Sequence, residues 1–333
     1  MEVKAAILGT GYMGKTFANS LKEQGVPVTA LYNINREKAD TFKKELNLGD
    51  ASVYPDYDVM LEKGDFNVLF ICIPPFAHNG QFEKAADCKK HIFIEKPIAF
   101  NSARGAEMVS SAKRNGIITM TGFHMRHGAA VKRLAELIKT GKAGRPVQFT
   151  ANFQVNSLHS PWWINADLCG GQVFEQAIHN YDLCRHFFGE PQYVEGIMAN
   201  VCHNHLPNYS IEDSSACIAG FQTGAIATIT ANNCGVPGQW SGRVTALFEN
   251  VFAEFTDYNN AVITSHYGGK PETETIKGNL NPYFEEVKEF IGCVKSGTHT
   301  DCDIVEGYKS LCFVEAVVKS AKLDGAKMVP ESL

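Results

Sequence analysis

Val3-Lys4-Ala5-Ala6-Ile7-Leu8-Gly9-Thr10-Gly11-Tyr12-Met13-Gly14 is the stretch that decides the fold. An apolar strand runs into three glycines spaced G-x-G-x-x-G, and a helical run from Lys15 to Gln24 follows. Gly9 allows the tight turn, Gly11 lets backbone approach a pyrophosphate, and Gly14 permits close packing of helix on strand; the helix N-terminus then meets negative charge. A lone glycine triplet carries little weight. This one stands between a strand and an amphipathic helix, with a second strand, Val28 to Tyr32, after it, which is the context a dinucleotide requires. Gly9, Gly11, Tyr12, Met13 and Gly14 are the expected cofactor-binding residues of that turn.

The end of the second strand is where the adenosine ribose is read. An Asp or Glu there binds the 2′-hydroxyl of NAD, whereas Arg with small polar neighbours accepts the 2′-phosphate of NADP. Here the position is Asn33, which keeps hydrogen bonding but lacks the charge that repels phosphate, and Arg36 follows. Arg36 either meets a 2′-phosphate or opens the next helix as a solvated side chain, the commoner fate. Ile34 is not the basic neighbour that NADP wants. The expected cofactor is NAD, with NADP as the alternative.

Further on, apolar strands alternate with helical patterns: Val68 to Ile73, a helix from about Gly80 to Lys90, Ile92 to Glu95, a helix from Ser102 to Asn115, then Ile117 to Gly122. That alternation means parallel strands with crossover helices. Ile73-Pro74-Pro75-Phe76-Ala77-His78 is a turn at the cofactor edge, so Pro74 and His78 are candidates for cofactor contact; an ordinary structural turn explains the prolines equally well, and a structural role is favoured for His78. In His91-Ile92-Phe93-Ile94-Glu95-Lys96-Pro97 the proline cannot donate to the ladder, so Lys96 sits at the strand's carboxyl end. Ligands of open parallel sheets bind at that edge, where a half-desolvated ammonium can exchange protons. An arbitrary lysine is a solvated loop residue, but one following this glycine turn is a candidate for catalysis.

After Gly122 the texture changes. A helix from about Ala129 to Thr140 is followed by alternating runs at Val147 to Val155, Tyr193 to Ala199, Ser214 to Phe221, Ala225 to Ala231 and Arg243 to Phe248, then helices at Tyr283 to Ser296 and Val305 to Leu323. The expected architecture is α/β: an N-terminal dinucleotide-binding domain, residues 1–121, and a C-terminal α+β domain, residues 122–333, with a large, mostly antiparallel open sheet. One face of such a sheet needs cover, which a second subunit would supply.

The 333 residues carry a formal charge of -5, with no Lys/Arg cluster, so neither nucleic acid nor a membrane surface is an expected partner. With no apolar leader and no long apolar run, a cytoplasmic protein is expected. The ten cysteines contain no C-x-x-C pair and read as reduced, mostly buried thiols. Cys202-His203-Asn204-His205 alone gathers metal-ligand types locally, and no metal is expected there.

A second chemical cluster is Cys169-Gly170-Gly171-Gln172-Val173-Phe174-Glu175-Gln176-Ala177-Ile178-His179-Asn180-Tyr181-Asp182. From Gln172 the pattern is helical, which puts Glu175 and His179, at i and i+4, on one face. A carboxylate beside an imidazole fixes its tautomer and raises its basicity, as a general base requires. A solvated helical pair or a half-buried core histidine is the plain alternative, and Asp182 either orients His179 or faces a neighbouring helix.

In their order and spacing these pieces resemble the glucose/fructose oxidoreductase, inositol dehydrogenase and MocA (Gfo/Idh/MocA) family. The resemblance spans nearly the whole chain, from Gly9-Thr10-Gly11-Tyr12-Met13-Gly14 through Pro74-Pro75-Phe76-Ala77-His78, Glu95-Lys96-Pro97 and Gly122-Phe123-His124-Met125-Arg126 to Gly170-Gly171, the Glu175/His179/Asp182 set and the closing helices. It implies a Rossmann domain and a dehydrogenase acting on a secondary alcohol of a sugar or cyclic polyol, assembled as a dimer or tetramer. It also implies Glu95 and Lys96 at the cofactor, Lys96 at the substrate as well, and His179 as acid/base. Glu175 stands where the family often has Asp, Gln172 where a third glycine is common, and Asn33 where an acid usually reads NAD. Polyols suit aromatic faces with polar groups beside them. His159-Ser160-Pro161-Trp162-Trp163-Ile164-Asn165 and His124, Arg126 and His127 are candidate suppliers, although core packing explains tryptophans as readily. Two alternatives stand beside this reading: a catalyst oxidising C3 of a glycoside with tightly held, internally recycled NAD, and a dinucleotide-binding regulator without activity.

Overall fold

The computed structural model describes residues 2–158 and 160–333, so His159 lies outside the described residues. The chain divides into two compact units, Met1–His124 with Asn281–Tyr308 and Met125–Leu280 with Lys309–Leu333. The helix Pro282–Ser296, which a linear division places in the second domain, belongs to the first unit.

The first unit holds six parallel strands, β1 (Ala5–Leu8), β2 (Val28–Tyr32), β3 (Ser52–Val53), β4 (Val68–Ile71), β5 (His91–Ile94) and β6 (Thr119–Thr121), in the order β3-β2-β1-β4-β5-β6. Helices cover both faces, so β1 and β4 are apolar and buried at every position rather than alternating. Strand order reverses between β1 and β4, and ligands of such sheets bind outside the carboxyl ends at that point. On one face Phe17 packs 4.7 Å from Phe93, Phe93 stacks on Phe70 at 5.1 Å, and Phe290 of the returning helix meets both edge-on. The return also covers the edge of β6. The Thr121 N–H donates to the Cys302 carbonyl at 2.7 Å, and Thr300 Oγ1 donates to the Thr119 carbonyl at 2.6 Å, which removes an open sheet edge.

The second unit is built on eight strands, β7 (Pro146–Val155), β8 (Pro191–Ala199), β9 (Ser214–Phe221), β10 (Ile226–Asn232), β11 (Trp240–Phe248), β12 (Val251–Phe255), β13 (Asn260–Ser265) and β14 (Glu272–Lys277), ordered β14-β13-β12-β11-β7-β10-β9-β8. Only β7 and β10 run parallel, so the sheet is mostly antiparallel. Three of these strands, β12 to β14, escape the pattern reading. In β14, Glu-Thr-Glu-Thr-Ile-Lys, no side chain is fully buried, so apolar alternation is absent. Phe149, Ala151, Phe153 and Val155 of β7 face inward, towards the helix Ile178–Phe188, whose Phe188 ring lies 5.0 to 5.9 Å from those of Phe248, Phe149 and Phe221. The opposite face leaves Ile197 and Ile218 more than half exposed. Among the described residues no helix is long and apolar enough to cross a membrane.

Candidate active site

At the glycine turn two of the three glycines are demanded by the chain itself. Gly9 has φ +96°, and a Cβ there would lie 2.5 Å from the Cys72 carbonyl oxygen; a Cβ on Gly14 would strike the Gly9 carbonyl. Gly11 is different. A Cβ there would meet nothing within 4 Å, so the protein's own packing does not explain this glycine, whereas backbone approach by a ligand does. Gly11 is also the N-cap of the helix Tyr12–Glu23 and offers no side chain to cap it, which leaves first-turn N–H groups for an anion. These residues fit a dinucleotide pyrophosphate. Beside the turn opens a cleft of ≈ 530 Å³ whose walls include Thr10, Gly11, Tyr12, Asn35, Lys38 and Phe42.

Asn33 ties the end of β2 to this turn: its Nδ2 donates to Thr10 Oγ1 at 2.7 Å, and its Oδ1 accepts the Asn35 N–H at 2.9 Å. Arg36 opens the next helix, exposed, with its guanidinium 3.7 Å from Asp40. Pro74 precedes a short 3-10 turn, Pro75–Ala77, and His78 Nε2 lies 3.1 Å from the Ile73 carbonyl. Burial lowers the pKa of His78, so its ring acts as a neutral pin for the turn.

Ladder pairing continues just past β5, where the Glu95 N–H donates to the Ile71 carbonyl at 3.0 Å; the Lys96–Pro97 peptide is cis. Glu95 is buried, and its Oε2 accepts the N–H of Lys96 at 3.1 Å, while Lys96 itself is half-buried. Its ammonium acts on His124. Burial first, and then the Lys96 charge, lower the His124 imidazole to about 3, so that ring stays neutral at physiological pH. His124 stacks at 4.5 Å on Tyr283 from the returning helix. The first unit thus gathers the glycine turn, the Pro74 turn, Glu95, Lys96 and His124 at the carboxyl ends of its strands.

In the second unit the expected helix after Gln172 begins differently. Val173–Ala177 is π-helical and runs into the α-helix Ile178–Phe188, with Glu175 in the wider turn and buried His179 just after it. Single π turns recur at functional sites, because they re-aim one side chain without breaking the helix. The Glu175 carboxylate accepts a hydrogen bond from the indole N–H of Trp163. Trp163 is itself buried with Cys169, Tyr209 and Ile211, and Trp162 packs against that cluster. The geometry therefore gives Trp163 a core position and a role in orienting Glu175. Asp182 pairs with Arg126 through two 2.7 Å bonds, both side chains being almost fully buried, and takes a third from Ser310. Arg126, a sequence candidate for the substrate, has its guanidinium fork on Asp182.

Pattern reading missed Glu212. Its Oε1 accepts the Val173 N–H at 2.6 Å, and its Oε2 occupies space that a Cβ on Gly171, φ +109°, would need. The carboxyl thereby clamps the start of the segment that carries Glu175 and His179. Burial pushes Glu212 up to about 7, against the pull of N–H bonds from Val173, its own backbone and Gln172. Since its folded pKa is raised, folding takes up a proton between the usual carboxyl range and about 7. The associated stability, on the order of 3 kcal/mol, is fully present below that range and lost as pH rises through 7. Thermal denaturation across this window should show wild type losing stability with rising pH more steeply than Glu212→Gln; parallel slopes would count against it.

Among the described residues, one group of potential metal ligands, Cys202, Asp213 and Cys234, brings donor atoms within 4.8 Å. Asp213 there accepts the backbone N–H groups of Val201, Cys202 and His203, so its carboxylate serves as a turn cap.

The model of an oxidoreductase family with an NAD-binding Rossmann fold matches residues 3–123, and the GFO/IDH/MocA C-terminal domain matches residues 131–268. The chain is 24% identical over 327 residues to a myo-inositol 2-dehydrogenase of Thermotoga maritima, covering 96% of each. It is also 24% identical over 304 residues to a scyllo-inositol 2-dehydrogenase (NAD(+)) of Bacillus subtilis, covering 89% of this chain and 87% of that one. Its fold matches that of a levoglucosan dehydrogenase solved in complex with NADH, with a TM-score of 0.90 over all of both chains at 17% identity. Both units and their order agree with these relatives, and the chain belongs to the Gfo/Idh/MocA family of oxidoreductases.

Proposed function

We propose that the protein is an NAD-dependent dehydrogenase that interconverts a secondary alcohol and a ketone on a sugar, a cyclic polyol or a close derivative. The observation that carries this reading is the placement of the Lys96 ammonium, beside a neutral His124, at the same sheet edge as the open Gly11 turn. Gly11 and the first turn of the helix after it would hold the pyrophosphate, and the nicotinamide, when bound, accepts or returns the hydride. His179 removes the hydroxyl proton in oxidation and returns it in reduction. Lys96 hydrogen-bonds the same oxygen and stabilises the charge that develops on it. Glu175 is held by Trp163 in the turn before His179, from where its carboxylate would favour the imidazolium by charge.

Support for the substrate class comes from the relatives, which are named for inositols and levoglucosan. Support for NAD over NADP comes from Arg36, which pairs with Asp40, and from Asn33, whose carboxamide braces the turn. The test is reduced-nicotinamide absorbance with a panel of inositols, anhydrosugars and aldoses, using NAD and NADP in turn. Turnover with NAD on at least one ring polyol is expected, and none with either cofactor would overturn the assignment. The exposed Ile197 and Ile218 also support a homo-oligomer formed through the outer face of the second sheet. Light scattering should then report a dimer or tetramer that Ile218→Asp dissociates.

A further inference from the structure

The helix Pro282–Ser296 carries Tyr283, Glu286 and Phe290 at i, i+3 and i+7, on one face. Two of the three have evident partners in the first unit. Tyr283 stacks on His124, and Phe290 meets Phe70 and Phe93, which pair in register between β4 and β5. Two residues beyond that pair, at the carboxyl ends of the strands, stand Cys72 and Glu95. One helical turn before Phe290, about 5.4 Å along the axis, stands Glu286.

Glu286 is 0% exposed, and neither of its carboxyl oxygens has a hydrogen-bond partner among the described residues. The charged groups that bear on it are Glu95 from the end of β5 and Glu289 from its own helix, and the Cys72 thiol lies in the same cluster. No cation is among them. Two ionised carboxylates only accept hydrogen bonds and repel each other in a dry site. One proton resolves both difficulties, since a carboxylic acid donates where a carboxylate cannot. Burial, reinforced by Glu95 and then Glu289, raises the pKa of Glu286 well above the usual range, in keeping with an acid that stays neutral.

We propose that Glu286 is a positioning residue for Lys96: it remains protonated and donates its O–H to Glu95, whose carboxylate in turn holds the Lys96 backbone N–H. The turn bearing the lysine thereby rests on a proton shared by two acids. The catalytic consequence rests on the dehydrogenase reading above, whereas the shared proton does not.

Difference infrared spectroscopy of the whole protein tests the proton directly. The wild-type minus Glu286→Gln difference spectrum, taken on the alkaline side of the Glu212 titration, should show a protonated carboxyl band; its absence would overturn the proposal even if the enzyme is active. Kinetics test the positioning. Glu286→Gln keeps an N–H donor, so its kcat should stay close to that of wild type. Glu286→Leu removes the donor and should lower kcat by up to about 10²-fold, with NAD affinity retained. The wild-type profile should carry an alkaline limb, from loss of the shared proton, that Glu286→Gln lacks. Equal activity of the Gln and Leu variants, or an unaltered alkaline limb in Glu286→Gln, would remove Glu286 from the positioning of Lys96. Should Glu286→Leu fail to fold, the infrared band and the Gln profile still decide. A band without turnover on any polyol would count against the dehydrogenase reading alone.

Discussion

Lys96→Ala is expected to lower kcat by about 10²–10³-fold, the loss typical of removing one donor to a developing oxyanion. NAD affinity should change little, because the proposed pyrophosphate determinants are the Gly11 backbone, which has open space beside it, and the uncapped first turn of the following helix. Folding should also survive, since the lysine is half-buried and its backbone N–H, the group that Glu95 accepts, is kept in the variant. Steady-state kinetics with the preferred polyol, together with cofactor titration by fluorescence, check both halves. Near-wild-type kcat would take Lys96 out of the chemistry, and parallel loss of cofactor binding would make it a nucleotide ligand instead. A separate signature accompanies the change. His124 is held at about 3 by burial and then by the Lys96 charge, so removal of the charge should raise the His124 pKa. Burial, the larger cause, remains, so the value should stay below that of a free imidazole. Histidine NMR titration reads this without any turnover.

The parts of this site legible in the sequence are those whose residue types are fixed by nearby backbone. Gly9 and Gly14 answer to contacts within the strand-turn-helix or at the next strand end, and Lys96 to a proline one residue on. These requirements leave a local trace. The π turn leaves none, because groups that bond to it lie outside it: Glu212 reaches Val173 from the loop before β9, and Trp163 takes up the Glu175 carboxylate. An i, i+4 reading names Glu175 and His179 as a pair and cannot show that the turn between them is widened. Asp182 and Arg126 likewise look like site polar groups in one dimension, while in the fold each neutralises the other inside the second unit. The helix Pro282–Ser296 was readable as a helix. Its membership of the first unit rests on Phe290 meeting Phe70 and Phe93, strands that lie far upstream. Polar β14 is the reverse case, an edge strand held by ladder bonds to β13 without an apolar face to announce it.

His179→Ala is the second large effect, and it separates the base from the lysine through pH. General-base participation contributes roughly 10²–10⁴-fold, and loss of that order in kcat for alcohol oxidation is expected. Oxidation requires the unprotonated imidazole, so the wild-type rate should fall as pH falls, and the variant should lose that acid limb. Ketone reduction uses the protonated ring, so its slope has the opposite sign and should flatten too. Lys96→Ala, by contrast, should keep the acid limb at a lower plateau, because the base remains. Glu175→Gln gives the intermediate case: Trp163 still has an oxygen to donate to, but the carboxylate charge that supports the imidazolium is gone. Its acid limb should persist with reduced amplitude. Two pH profiles of kcat, one in each direction, distinguish these outcomes. An acid limb that survives in His179→Ala would assign the base to another group and leave His179 as a buried member of the helix Ile178–Phe188.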